Sequence, residues 1–156
     1  MTVPKPETFE DNVGVRMIRL AEVFARLAKI GVEQPWNLRN TDLRILNVLD
    51  GADSVAISEI ARRTHVDKAW ISRSVRKLEK KGLVEKQLDP KDSRVSLAVL
   101  TAKGRALLEE IRPHVTAAEG RVLNGIKTPG FKRDLDRLLE NAEAILEQAE
   151  TNLKNR

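Results

Sequence analysis

Apolar side chains fall at Val13, Met17, Leu20, Phe24 and Leu27, spaced alternately four and three apart, which is one stripe of a helix. Gly31 and Pro35 are expected to close that helix. Residues 36–40 then lead into a second helix, capped by Thr41, with Leu43, Leu46 and Leu49 or Val48 facing inward and Asp50-Gly51 as its stop. A short helix over about 58–63 takes Ser58 as its cap and Ile60 and Ala61 as its buried face, and Thr64, His65 and Val66 make a tight connection onward. The next helix runs from Lys68 to Lys81 behind a capping Asp67. Its Ile71, Val75 and Leu78, spaced four and three, define a core-facing edge, while Ala69, Arg73, Arg76 and Lys80 point the other way. Gly82 supplies the residue wanted just past a helix end, and Lys80 and Lys81 suit the negative end of the helix dipole.

From 83 to 88 and from 94 to 100 the pattern changes to alternation around Asp89-Pro90-Lys91-Asp92-Ser93, a proline-bearing turn, which predicts a two-stranded hairpin. Thr101 is the cap candidate for a long helix carrying Leu108, Ile111, Val115, Ala118 and Val122, which Pro113 should bend. Residues 124–130 break the pattern. A last helix carries Leu135, Leu138, Ala142, Ile145 and Ala149. Three long helices with stripes near heptad spacing, one before and two after a middle segment of helix-turn-helix and ribbon, call either for each other or for a helical dimer partner. Residues 1–8 read as a loose arm.

Composition narrows the function. The 156 residues are 41% hydrophobic and 33% charged, with three Phe, two Trp, no Tyr and no Cys. That is about one domain's worth of core, too little for a multidomain enzyme. Without cysteine there are no disulfides, thiolate zinc sites, iron–sulfur clusters, thiol nucleophiles or thiol redox sensors. No stretch approaches the roughly 18 continuous apolar residues of a membrane span, and Met1 to Glu7 lacks the apolar segment of a signal peptide, so a soluble cytoplasmic protein without a membrane partner is expected. Between Glu59 and Arg94 stand 11 Lys and Arg against 6 Asp and Glu, so one segment holds the whole formal +5. Such a surface fits nucleic-acid phosphates, though an anionic membrane or an acidic partner would attract it too.

Catalytic and metal chemistry find little purchase. His65 and His114 are the only histidines, too few for the three or four His and Cys ligands of a tight zinc site. No Gly-x-Ser-x-Gly appears, and no constellation of titratable groups suggests a phosphate-substrate enzyme. Both histidines are expected to be structural, and no catalytic residue, metal or cofactor is assigned.

The runs Ile57-Ser58-Glu59-Ile60-Ala61-Arg62-Arg63, Ile71 through Leu78-Glu79-Lys80-Lys81-Gly82-Leu83-Val84, Asp89-Pro90-Lys91-Asp92-Ser93-Arg94 and Leu100-Thr101-Ala102-Lys103-Gly104 together resemble the MarR family of winged helix-turn-helix transcriptional regulators. The resemblance implies a mainly α fold with a small β-hairpin wing, a winged helix-turn-helix flanked by N- and C-terminal dimerisation helices. Its parts would be residues 1–35, an arm and dimerisation helix; 36–100, the DNA-binding module; and 101–156, the remaining dimerisation helices. It implies a homodimer on palindromic double-stranded DNA, since two-fold symmetry demands inverted half-sites with the reading helices about one DNA turn, roughly 34 Å, apart. A repressor is the family habit; the alternative is a ligand-independent or architectural winged-helix protein.

On that reading the helix from Lys68 enters the major groove, and Lys68, Trp70, Ser72 and Arg73 are the candidate base readers. Arg73 can pair bidentately with guanine O6 and N7 or act as a phosphate clamp. Trp70 sits about 100° from the core edge, and either packs against the wing base or a neighbouring helix or touches a thymine methyl or a sugar. Arg76, Lys77 and Lys80, further along, are candidate phosphate ligands. In the wing, the resemblance implies that Arg94 enters the minor groove and that Asp92 holds it, with Lys91 a looser phosphate contact. Many relatives respond to small phenolic or lipophilic anions. Trp36 and Phe24 are the nearest candidates for lining such a site, with an ordinary core role as the competing assignment, and the ligand site is left open. An inducer would act non-covalently.

Overall fold

A computed structural model describes Thr8, Phe9 and residues 12–154. The arm expected over residues 1–8 lies almost wholly outside the described residues. The chain divides into two compact units, one reaching Val115 and the other starting at Thr116.

The first unit opens with α1, Val13–Ala28, capped by Asn12, whose side chain accepts from the Gly14 N–H at 2.8 Å. Gly31 and Pro35 do not close it. The backbone widens into a π-helical turn over Lys29–Glu33 and continues as a short helical segment, α2, Gln34–Trp36. The wider turn reaches one residue further back, so the Gln34 N–H donates to the Lys29 carbonyl. Pro35 then falls at the start of a helical segment, where its missing N–H costs nothing. Asn37, left-handed at φ 51°, ends the run.

Helix α3, Asn40–Asp50, is not capped by Thr41, which lies inside it. Two carboxylates serve its N-terminus instead. Asp42 Oδ2 accepts from the Arg39 N–H at 3.0 Å and Glu33 Oε1 from the Asn40 N–H at 2.7 Å. Likewise Ser58 is inside α4, Ile57–Thr64, which begins one residue before it. Left-handed His65 (φ 50°) turns the chain into α5, Lys68–Lys80. There the expected cap holds, with Asp67 Oδ1 accepting from the Trp70 N–H at 3.0 Å.

The ribbon is larger than a hairpin. Strand β2, Val84–Leu88, pairs with β3, Ser96–Leu100, but the two residues β1, Val55–Ala56, pair with the other edge of β3, giving an antiparallel sheet in the order β1-β3-β2. A two-residue strand has no periodicity, so the sequence pattern carried no trace of it. The core gathers Ile45, Leu46 and Leu49 of α3, Ile60 of α4, Ile71, Val75 and Leu78 of α5, and Ala98 and Leu100 of β3.

Thr101 caps α6, Ala102–Val122, as predicted, its Oγ1 accepting from the Gly104 N–H at 3.0 Å and donating to the Gly82 carbonyl at 2.8 Å. Gly104 is a packing requirement. A Cβ there would lie 2.2 Å from the Leu83 carbonyl oxygen and 2.7 Å from Leu100 Cδ1, so the helix can approach the strand only without a side chain. Arg105 and Arg112 of α6 both reach Asp50 at the end of α3, at 3.2 and 2.8 Å. Pro113 lies inside α6 without ending it.

In the second unit, the last turns of α6 lead through left-handed Gly125 (φ 79°) into α7, Thr128–Lys154, whose first turn contains Pro129 and Gly130. The break between helices is thus shorter than the expected 124–130. None of the α7 residues is buried, and Leu139, Ile145, Leu146 and Leu153 are among its exposed apolar side chains.

Candidate nucleic-acid interface

Helix α5 is amphipathic in the strict sense. Ile71, Ser74, Val75 and Leu78 are buried, while Ala69, Arg73, Arg76 and Lys80 form an exposed row on the opposite side. The burial of one face fixes the aim of the other, because a helix anchored along one edge can present only its far edge to a partner. Lys68 is exposed on one flank of that row with half-buried Ser72 one turn further on, and Trp70 falls on the other flank.

Trp70 does not belong to the core. It is 42% exposed, and its ring lies beneath the Arg73 guanidinium, with Cζ 5.4 Å from the ring centroid. It forms a cation–π pair with Arg73 on the helix surface. Of the four candidate base readers, the fold brings these two into contact.

Lys77 behaves differently from Arg76 and Lys80. Its Nζ donates to Asp42 Oδ2 at 3.0 Å, and Asp42 is completely buried, with Oδ1 lacking a hydrogen-bond partner among the described residues. The pair ties α5 to α3 and gives the buried carboxylate its cation, while the Lys77 side chain stays 40% exposed. The neighbouring Lys81 Nζ donates to the Asn37 carbonyl at 2.5 Å. Burial, and next the Lys77 charge, hold its ammonium below the ordinary lysine pKa.

Other basic residues also serve structure. Arg44 of α3 donates to the Thr64 carbonyl at the end of α4, and Lys103 to the Lys81 carbonyl at the end of α5, 2.9 Å away. Arg62 and Arg63 both pair with Glu59, which lowers the Glu59 pKa to about 2, the Arg62 hydrogen bond contributing most and the Arg63 bond next. Sequence reasoning missed these roles, and above all Asp42. The available signal was an acidic residue on the apolar face of α3, one turn before Ile45 and Leu46.

The wing tip is built from two successive aspartate turns. Asp89 Oδ1 accepts from the Lys91 N–H at 2.8 Å and Asp92 Oδ1 from the Arg94 N–H at 3.0 Å, while the Asp89 N–H donates to the Val95 carbonyl at 2.9 Å. Asp92 holds Arg94 by its backbone, leaving Lys91 and Arg94 exposed at the tip. Trp36 is half-buried. It packs on the core cluster, its Nε1 donates to Glu110 Oε1 at 2.8 Å, and it meets His114 edge to face at 5.1 Å between centroids. Phe24 is exposed on α1.

Among the described residues no group of three His, Cys, Asp or Glu is placed to hold a metal ion, and no helix is long and apolar enough to cross a membrane.

A helix with an outward basic row beside a basic-tipped antiparallel ribbon is the architecture of a winged helix-turn-helix. The MarR family model matches residues 36–95. An HTH-type transcriptional repressor of Mycobacterium bovis is 32% identical over 120 residues, 75% of this chain and 82% of that protein. The chain belongs to the MarR family of transcriptional regulators. An HTH-type regulator of Bacillus subtilis, YdgJ, is also 32% identical, over 107 residues, 60% of this chain and 65% of its own length. Among solved structures, CouR of Rhodococcus jostii, bound to p-coumaroyl-CoA, superposes with a TM-score of 0.78 at 27% identity, covering 87% of this chain and 95% of that one. This MarR-family protein is accordingly a DNA-binding transcriptional regulator rather than an enzyme.

Proposed function

We propose that this MarR-family regulator is a sequence-specific repressor that binds a palindromic operator as a homodimer and is released by a small organic anion. The observation that carries the reading is the exposed row of Arg73, Arg76 and Lys80 on α5, aimed outward by the burial of Ile71, Val75 and Leu78 behind it. Arg73 reads a base. Arg76 and Lys80 bind phosphates, with Lys68 and Ser72 flanking them, and Arg94 enters the minor groove from a wing tip that Asp92 shapes and Lys91 anchors. Lys77 is left to Asp42.

Dimerisation is supported by the apolar side chains that the monomer leaves in water. Ile18, Val23, Phe24, Leu27 and Ile30 are exposed on and just after α1, as are Leu139, Ile145, Leu146 and Leu153 on α7. Surfaces of this length and spacing are covered by a second copy in helical dimers. A repressor among the relatives supports the sign of regulation, and CouR, with p-coumaroyl-CoA bound, supports a ligand-responsive protein.

The test is binding to the DNA flanking the gene, against unrelated duplex of equal length at physiological salt. A preference of about a thousandfold or more is expected of a specific regulator. Arg73→Ala should abolish most of that preference while sparing random-duplex binding. A wild-type protein without preference on any flanking DNA would point instead to an architectural role.

A further inference from the structure

The Trp70–Arg73 pair lies on the surface of the module, outside the core cluster. Trp70 is absent from the core cluster, and its ring is 42% exposed on a helix surface that also carries Lys68, Arg73, Arg76 and Lys80. Asp67 caps its backbone N–H in the first turn of α5 at 3.0 Å, and its ring lies 5.4 Å from the Arg73 guanidinium carbon. A cation–π contact engages one side of a guanidinium and leaves the N–H donors that point away from the ring free to bond. It also orders a long, rotamer-rich side chain before any partner arrives.

We propose that Trp70 and Arg73 read DNA as one unit, recognising a thymine next to a guanine in each half-site. This rests on the reading of α5 as the major-groove helix. A guanidinium that pairs with guanine O6 and N7 lies in the plane of that base. The indole, its centroid 5.4 Å from the guanidinium carbon, then lies within reach of the neighbouring base pair. The major groove offers one apolar feature there, the C5-methyl of thymine, and the indole is the matching apolar surface. Trp70 is thus both a specificity residue for the thymine and a positioning residue for Arg73.

The experiment starts from duplexes selected by the full-length protein from a randomised library. Each selected thymine is then replaced in turn by deoxyuridine, which removes only the methyl group, and affinities are read by fluorescence anisotropy. At one thymine beside a guanine, uracil should weaken wild-type binding about fourfold per half-site, the worth of one buried methyl group. Trp70→Ala should bind the thymine and uracil duplexes alike and should also lose part of its discrimination at the adjacent guanine, while Trp70→Phe retains some of both. Circular dichroism verifies the fold of each variant, and the uracil scan on the wild-type protein needs no variant. The proposal is overturned if no selected thymine is sensitive to loss of its methyl, or if the sensitivity survives in Trp70→Ala. It is equally overturned if Trp70→Ala weakens specific and random duplexes to the same degree. A protein that selects no sequence at all would bring down the sequence-specific reading itself, whereas a selected site insensitive to uracil brings down the paired unit alone.

Discussion

The Lys77 ammonium of α5 reaches 3.0 Å from the carboxylate of Asp42, a fully buried acid on α3, whose same oxygen also accepts from the Arg39 N–H. The pair ties the helix that carries the exposed basic row to the helix behind it. Lys77, a candidate phosphate ligand by its place on α5, thus also serves the frame that aims its neighbours. Lys77→Met leaves the buried carboxylate without its cation, and should destabilise the fold by about 1–3 kcal/mol, since the lysine end of the pair is partly in solvent. Chemical denaturation measures the loss. The salt dependence of DNA binding should not change, and a slope reduced by about one unit would return Lys77 to the phosphates.

Lys80 lies on the exposed row. Lys80→Ala should weaken specific and random duplexes similarly and lower the salt slope by about one, as the loss of one phosphate contact does. Anisotropy titrations across a salt series would show this, and an unchanged slope would place Lys80 off the DNA.

Gly104→Ala would drive a methyl group to within 2.2 Å of the Leu83 carbonyl, which is backbone and cannot rotate aside. The helix must move away from the strand. A loss of at least about 1–3 kcal/mol is expected, or a melting temperature lower by roughly 2–4 °C per kcal/mol in a chain of this size. A melting temperature within 1 °C of wild type, at about the precision of a scan, would show that α6 has room to shift.

Leu139 and Leu146 are seven residues apart on α7 and both exposed. On the proposed dimer, charging both, as Leu139→Glu with Leu146→Glu, should convert the dimer to a monomer in sedimentation velocity and weaken operator binding with it, because two half-sites would no longer be engaged together. Dimers that persist in the double variant would move the interface off α7.

Much of this was legible from periodicity. The edge of Ile71, Val75 and Leu78 and the Asp67 and Thr101 caps are local patterns that appear in the fold where the pattern put them, and the wing strands pair as expected, although β3 starts two residues later than the alternation and only Val84 of β2 is buried. The motif ending in Gly104 was legible as a resemblance, but its cause, the Leu83 carbonyl, comes from 21 residues away in the chain.

The errors share one physical origin. Thr41 and Ser58 are good capping residues by type, yet carboxylates arriving from Glu33 and Asp42 serve the one helix end, and the other begins straight out of a strand. Pro35 would end an ordinary helix, but a π turn shifts the hydrogen-bond register ahead of it. Strand β1 exists only because β3 offers an open edge.

Residue type and spacing along one helix or strand determined by themselves the main helices, the two wing strands, the buried edge of α5 and the localisation of the basic excess, because those depend on neighbours three or four residues away or two. Which cations stay free was decided by tertiary structure alone. Arg73, Arg76, Lys77 and Lys80 are alike in type, and only folding sets a buried carboxylate beside Lys77 and an indole beneath Arg73. The free energy of a charge depends on what lies within a few ångströms of it in space, and no local pattern records that.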